Sequence, residues 1–70
     1  MDDRVDIWRE DGDTGSWLIQ RTVSAMGDIS AETVAREVCR VQGYGDAYLA
    51  PVSERSQTKA YLDEGDDRYA

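Results

Sequence analysis

Apolar and polar residues alternate along the first part of the chain. Val5 and Ile7 are interleaved with Arg4, Asp6 and Trp8, the period of a half-buried β-strand. The alternation predicts a strand over 3–10. Asp11-Gly12-Asp13-Thr14-Gly15 follows and reads as a hairpin turn, because Asp-Gly and a glycine free to take positive φ are what tight turns use. A second strand is predicted over 16–26, rich in β-branched and aromatic residues. Trp17, Ile19, Val23 and Ala25 lie on one side of it, with Arg21 as the odd member. Leu18, Gln20, Thr22 and Ser24 lie on the other.

The period changes after Gly27-Asp28. Ala31, Val34, Ala35, Val38 and Val41 recur at helical spacing and form one apolar stripe, with Cys39 at its edge. Ser30 suits the N-cap, whose side-chain oxygen accepts from a free backbone N–H. Ile29 and Val34 stand at the two positions of a hydrophobic staple. Glu32 in the first turn and Arg40 in the last suit the helix dipole. Glu32 and Arg36 form an i,i+4 pair, and Gly43 ends the helix.

Beyond the helix, the residues over 45–53 predict a third strand carrying Tyr48, Leu49 and Val52, with Pro51 marking an edge, a bulge or the strand's end. Residues 54–57 read as a polar turn. Residues 58–63 read as a short fourth strand, with Ala60 and Leu62 facing one way and Lys59 and Tyr61 the other. The expectation is an α+β fold of ββαββ order: a small antiparallel sheet with one helix packed on one face. The helix stripe would meet Val5, Ile7, Trp17, Ile19, Leu49 or Val52, and Leu62. A single domain is expected over 1–63, with an acidic, frayed tail over 64–70.

A chain of 70 residues has room for one small core. It carries one cysteine, Cys39, and no histidine. An internal disulfide is thereby excluded, and no zinc-ligand set is available. Stability must come from packing, or partly from a partner or a second copy, so a homodimer is a possible state. The start of the chain has neither the basic residues nor the apolar run of a secretory signal, and no run spans a membrane. A cytoplasmic, reducing location is the expectation.

Charge changes the picture most. Fifteen acidic residues stand against eight basic ones, a formal net charge of −7. Such a body repels nucleic acid and anionic membranes and attracts basic proteins. The ordinary alternative is that the acids serve solubility or adaptation to a salty cytoplasm.

Candidate chemistry is sparse. Asp11-x-Asp13-x-Gly15 lacks the later oxygen ligands of a calcium-binding EF-hand loop. Gly43-Tyr44-Gly45 lacks the spacing and the lysine of a phosphate loop. Cys39 has no histidine to serve as its base. Paired carboxylates in a cleft are not indicated, because the acids fall in turns, at the termini or on outward strand positions. No catalytic residue, cofactor or metal site is expected.

The aromatics suggest a surface. If Val5 and Ile7 face the helix, Trp8 points to the opposite side of the sheet. Lys59 and Tyr61 would project there too, and Tyr48 would join them if Leu49 turns inward. Arg4, Asp6, Glu10 and Gln20 would surround them. Aromatic anchors with a polar rim suit an interface, although cross-strand pairing that only stabilises a sheet has the same pattern.

Size, charge and the acidic clusters Asp2-Asp3, Glu10-Asp11-x-Asp13 and Asp63-Glu64-x-Asp66-Asp67 together resemble the small acidic inhibitors that phages and mobile elements direct against host defence, anti-CRISPR and anti-restriction proteins among them. The resemblance is one of class and carries no sequence motif. It implies a non-enzymatic protein that covers the basic nucleic-acid-binding surface of its partner. The residues expected to meet that partner are Asp6, Trp8, Glu10, Asp11, Asp13, Tyr48, Tyr61, Asp63 and Glu64. A halophile's housekeeping or regulatory domain is the competing reading, and an antitoxin acting on a cognate protein is a third.

Overall fold

The computed structural model describes residues 3–64. Its elements run β1 (Val5–Glu10), β2 (Trp17–Val23), α1 (Ala31–Gln42), β3 (Tyr48–Pro51), a 3-10 turn (Val52–Glu54) and α2 (Arg55–Asp63). The class is α+β, with a three-stranded sheet of order β2-β1-β3, antiparallel throughout. The expected order is corrected to β-β-α-β-α. Residues 58–63 belong to a helix, and the third strand is confined to its middle four residues.

α2 is helical for reasons its residues supply. Arg, Gln, Lys, Ala and Leu are strong helix formers, and Thr58 is the segment's one β-branched residue. Thr58 and Leu62, an i,i+4 pair, are its buried positions. Lys59 and Asp63, also i,i+4, form an ion pair of 2.9 Å. Four residues of apparent alternation were too short a window to distinguish a period of 2 from one of 3.6.

With β1 in the middle and a helix on each face, Val5, Asp6, Ile7 and Trp8 are all buried. Val5 and Ile7 pack with Ala31 and Ala35 of α1, flanked by Val23, Val38 and Leu49. Trp8 packs with Ala50 and with Leu62 of α2, flanked by Trp17 and Ile19. Trp17, Ile19 and Leu62 therefore sit on the face opposite the one expected for them. For Leu62 the cause is the helix that carries it, and for Trp17 and Ile19 it is a break in the β1–β2 register. Ile7 pairs with Arg21 and Trp8 with Ile19, so Gln20 is left over. A β-bulge of this kind shifts the alternation by one residue. Ahead of it Trp17 and Ile19 join Trp8, and beyond it Val23 joins Val5. Arg21, paired with Ile7, stays on the α1 side with Val23 and is exposed.

α1 forms as its residues dictate. The Ser30 side chain accepts from the Thr33 N–H at 3.2 Å, and Gly43 closes the helix in the left-handed region at φ 77°. Arg36 donates to Glu32 at 2.6 Å, and Arg40 pairs with Glu37. Among the described residues, no helix is long and apolar enough to cross a membrane.

Candidate functional site

The β1–β2 turn closes through backbone bonds from Asp11 N–H to Ser16 O at 2.7 Å and from Gly15 N–H to Asp11 O at 2.8 Å. Gly15 takes φ 76°, a region that costs glycine nothing. The Asp11 carboxylate accepts from the Asp13 N–H at 2.9 Å, an Asx-type turn. Glu10 and Asp13 are exposed and Asp11 is half-buried.

The end of α2 lies against this turn. Asp63 accepts from the Trp17 N–H at 3.4 Å, and Trp17 is the register partner of Glu10. Lys59 strengthens the junction by donating to the Trp17 carbonyl at 2.9 Å and to Asp63 at 3.2 Å. The hydrogen bond from Lys59 holds the Asp63 carboxyl below its ordinary value. Partial desolvation opposes this, and the Trp17 N–H and the Lys59 charge reinforce it. Through this contact between residues 46 apart in sequence, the acidic turn and Asp63 share one end of the molecule. Exposed Glu64 follows at the helix terminus.

Tyr48 and Tyr61 flank this end, both exposed, with ring centroids 6.0 Å apart and planes tilted by 39°. Their meeting follows the expectation that they share a face, although a helix rather than a fourth strand carries Tyr61. Nearby, Arg9 bridges to Asp46 at 3.2 Å and stacks its guanidinium 4.7 Å from the Tyr44 ring centre.

Two expected surface residues are interior. Trp8 does point away from α1, but α2 covers that face and leaves it 2% exposed. Alternation along β1 gives the direction of the side chain and nothing of what lies over it. Asp6 is fully buried. It accepts from Arg55 Nε at 2.9 Å, from Arg55 Nη2 at 2.8 Å and from the Thr22 hydroxyl at 2.7 Å. Burial alone would raise its carboxyl. The Arg55 and Thr22 hydrogen bonds, with the charges of Arg55 and Arg4, outweigh burial and hold it below the ordinary aspartate value. Sequence reasoning did not identify Arg55 or Lys59 as organising residues. Their i,i+4 spacing, repeated in Lys59 and Asp63, was the available signal.

Glu10, Asp11, Asp13, Tyr48, Tyr61, Asp63 and Glu64 are thus gathered at one end, while Asp6 and Trp8 lie beneath it in the core. Asp66 and Asp67 lie outside the described residues, as does Asp2. The cations nearest the site are engaged: Arg9 by Asp46, Arg55 by Asp6 and Lys59 by Asp63. Among the described residues, no ion pair reaches Glu10, Asp11 or Asp13. No group of three or more potential metal-ligating side chains occurs among the described residues. Cys39 is half-buried, and desolvation raises its thiol above the ordinary value, which disfavours the reactive thiolate. The arrangement presents uncompensated carboxylates beside two phenol rings. No family model matches the chain, and no curated protein or solved structure matches it either.

Proposed function

We propose that this protein is a non-enzymatic inhibitor that occupies a basic, nucleic-acid-binding surface on a partner protein through its acidic end. One observation carries the reading. The fold brings the Glu10-Asp11-Asp13 turn against Asp63 and Glu64 and sets the exposed Tyr48–Tyr61 pair beside them. Carboxylates with no internal cation attract lysine and arginine, and tyrosine rings give a charged contact an apolar anchor. Surfaces that neutralise nucleic-acid phosphates are dense displays of such cations. The proposed partners are therefore nucleic-acid-handling proteins, with CRISPR and restriction complexes the leading class.

The test is competition. Partners captured on immobilised protein after nuclease treatment are challenged with duplex DNA and with RNA. Under this reading nucleic acid releases them, and the triple variant Glu10→Lys, Asp13→Lys, Glu64→Lys captures at least tenfold less while folding normally. Capture that is indifferent both to nucleic acid and to the triple variant would overturn the proposal.

A further inference from the structure

The opposite end of the molecule has a different character. β2 leaves the acidic turn at Trp17 and reaches Val23 about 20 Å away, at roughly 3.3 Å per residue. Beyond it, Met26 and Ile29 exchange backbone hydrogen bonds of 2.9 Å in each direction and form an isolated bridge. This holds both side chains out beside α1. Met26 is 64% exposed and Ile29 51%. Together with Thr33, Val34, Glu37 and Val38 they line a groove of about 390 Å³.

α1 buries its small residues and displays its large ones. Ala31 and Ala35 are its buried positions, Val34 and Val38 are half-buried, and Val41 is 65% exposed. Val34, Val38 and Val41 stand at i, i+4 and i+7 on one stripe. The groove takes up the first two, and Val41 protrudes one turn further on. A hollow and a protruding valine on the same stripe are self-complementary under a two-fold axis, the condition for an isologous interface.

Charge identifies the occupant. Two bodies of net charge −7 repel wherever their acids meet, yet the charges of α1 cancel. Glu32 pairs with Arg36 and Glu37 with Arg40, so the helix contributes no net charge to a contact. Asp28, in the turn between Met26 and Ile29, lies at the margin. A strongly basic partner would gain little on this face, whereas a second copy can approach it with its acidic end turned away.

We infer that the protein forms a two-fold homodimer through this face, Val41 of each copy seating in the Met26–Val38 groove of the other. The paired α1 helices run antiparallel, and the acidic ends point outward, so that one dimer presents two of them. The inference does not depend on what the acidic ends bind.

Sedimentation equilibrium from micromolar to millimolar concentration tests it. The wild type dimerises, more tightly as salt rises, because screening reduces the repulsion of the two bodies while the contact itself is apolar. Val41→Lys and Met26→Glu, both at exposed positions, each give a monomer with an unchanged circular-dichroism spectrum. Combined in one chain they restore the dimer, since the two-fold axis brings each lysine to the other copy's glutamate. A monomeric wild type across the whole range overturns the inference. So does a dimer that survives Val41→Lys, or a loss that the double variant does not repair. Competition at the acidic end by nucleic acid is read on separate residues, so failure here leaves the proposed function to its own test.

Discussion

The buried Asp6 carboxylate and the Arg55 guanidinium form a two-point contact, 2.9 Å at Nε and 2.8 Å at Nη2, across 49 residues of sequence. It ties the central strand to the first turn of α2 and is the main polar link between them. Half of the Arg55 side chain stays in solvent, while Asp6 has none. Removing the arginine therefore strands a charge that water cannot reach. Arg55→Met should cost about 3–5 kcal/mol. Replacing both members, as Asp6→Val with Arg55→Met, should recover most of that loss, because the desolvation penalty disappears with the charge. Urea unfolding of the two single variants and the double measures the coupling. Equal losses in the Arg55 single and the double would show that the pair does not carry the link.

Acid should loosen the same junction. The Asp6 carboxyl lies below its ordinary value of 3.8 in the folded chain, so the folded state binds a proton there less readily than the unfolded state. Its contribution to stability is complete above the ordinary aspartate range. It is lost as pH falls from there through the lowered folded value. Asp63, lowered chiefly by Lys59, acts in the same direction, more weakly because it is exposed. Thermal melting from about pH 7 to pH 2 should show stability falling below about pH 4. Asp6→Asn should be less stable at neutral pH and should flatten that acid limb. An unchanged acid limb in Asp6→Asn would place the titrating group elsewhere.

The sequence was most legible where one local rule had no competitor. α1 followed from its spacing, the Ser30 cap and the Gly43 stop, and the hairpin followed from alternation around Asp-Gly. The face of β2 was misread at a single residue, because nothing in the order Ile19-Gln20-Arg21 marks a bulge that tertiary pairing creates. α2 was misread because Lys59-Ala60-Tyr61-Leu62 satisfies both periods over so short a span. That one error removed the cover from Trp8 and made Asp6 look like a rim residue. The acidic clusters were visible as composition, but their convergence depends on α2 ending beside Trp17. No spacing along the chain encodes that long-range contact.

Trp8 offers a test of the core beneath the site. Its ring is buried against Ala50 and Leu62, and its indole N–H has no acceptor. A buried donor without a partner costs about 1–3 kcal/mol. Trp8→Phe removes that donor and keeps most of the ring, so the loss of packing and the relief should largely offset. A net change under about 1.5 kcal/mol is expected. Trp8→Ala removes the ring as well and should cost about 3–5 kcal/mol. Denaturant titration separates the two. A phenylalanine variant as unstable as the alanine variant would show that the N–H is satisfied in solution, for instance by a water molecule.

Salt separates recognition from adaptation as the reason for the acidic end. Glu10, Asp13, Asp63 and Glu64 crowd one end, and of these only Asp63 has a cation beside it among the described residues. Their mutual repulsion opposes folding in dilute buffer and fades as the Debye length shrinks from about 10 Å at 0.1 M to about 3 Å at 1 M. The triple variant Glu10→Gln, Asp13→Asn, Glu64→Gln should therefore be more stable than wild type at low salt. The gain should be on the order of 0.5–1 kcal/mol, the scale of exposed charge pairs, and should vanish near molar salt. If the carboxylates serve a partner, wild type already folds in dilute buffer and the triple variant exchanges binding for this small gain. If they serve life in concentrated salt, wild type is unfolded in dilute buffer and gains several kcal/mol as potassium chloride approaches molar levels. Thermal melting of both proteins against potassium chloride gives the answer. A wild type that folds only in molar salt would remove the ground for reading the acidic end as a binding surface.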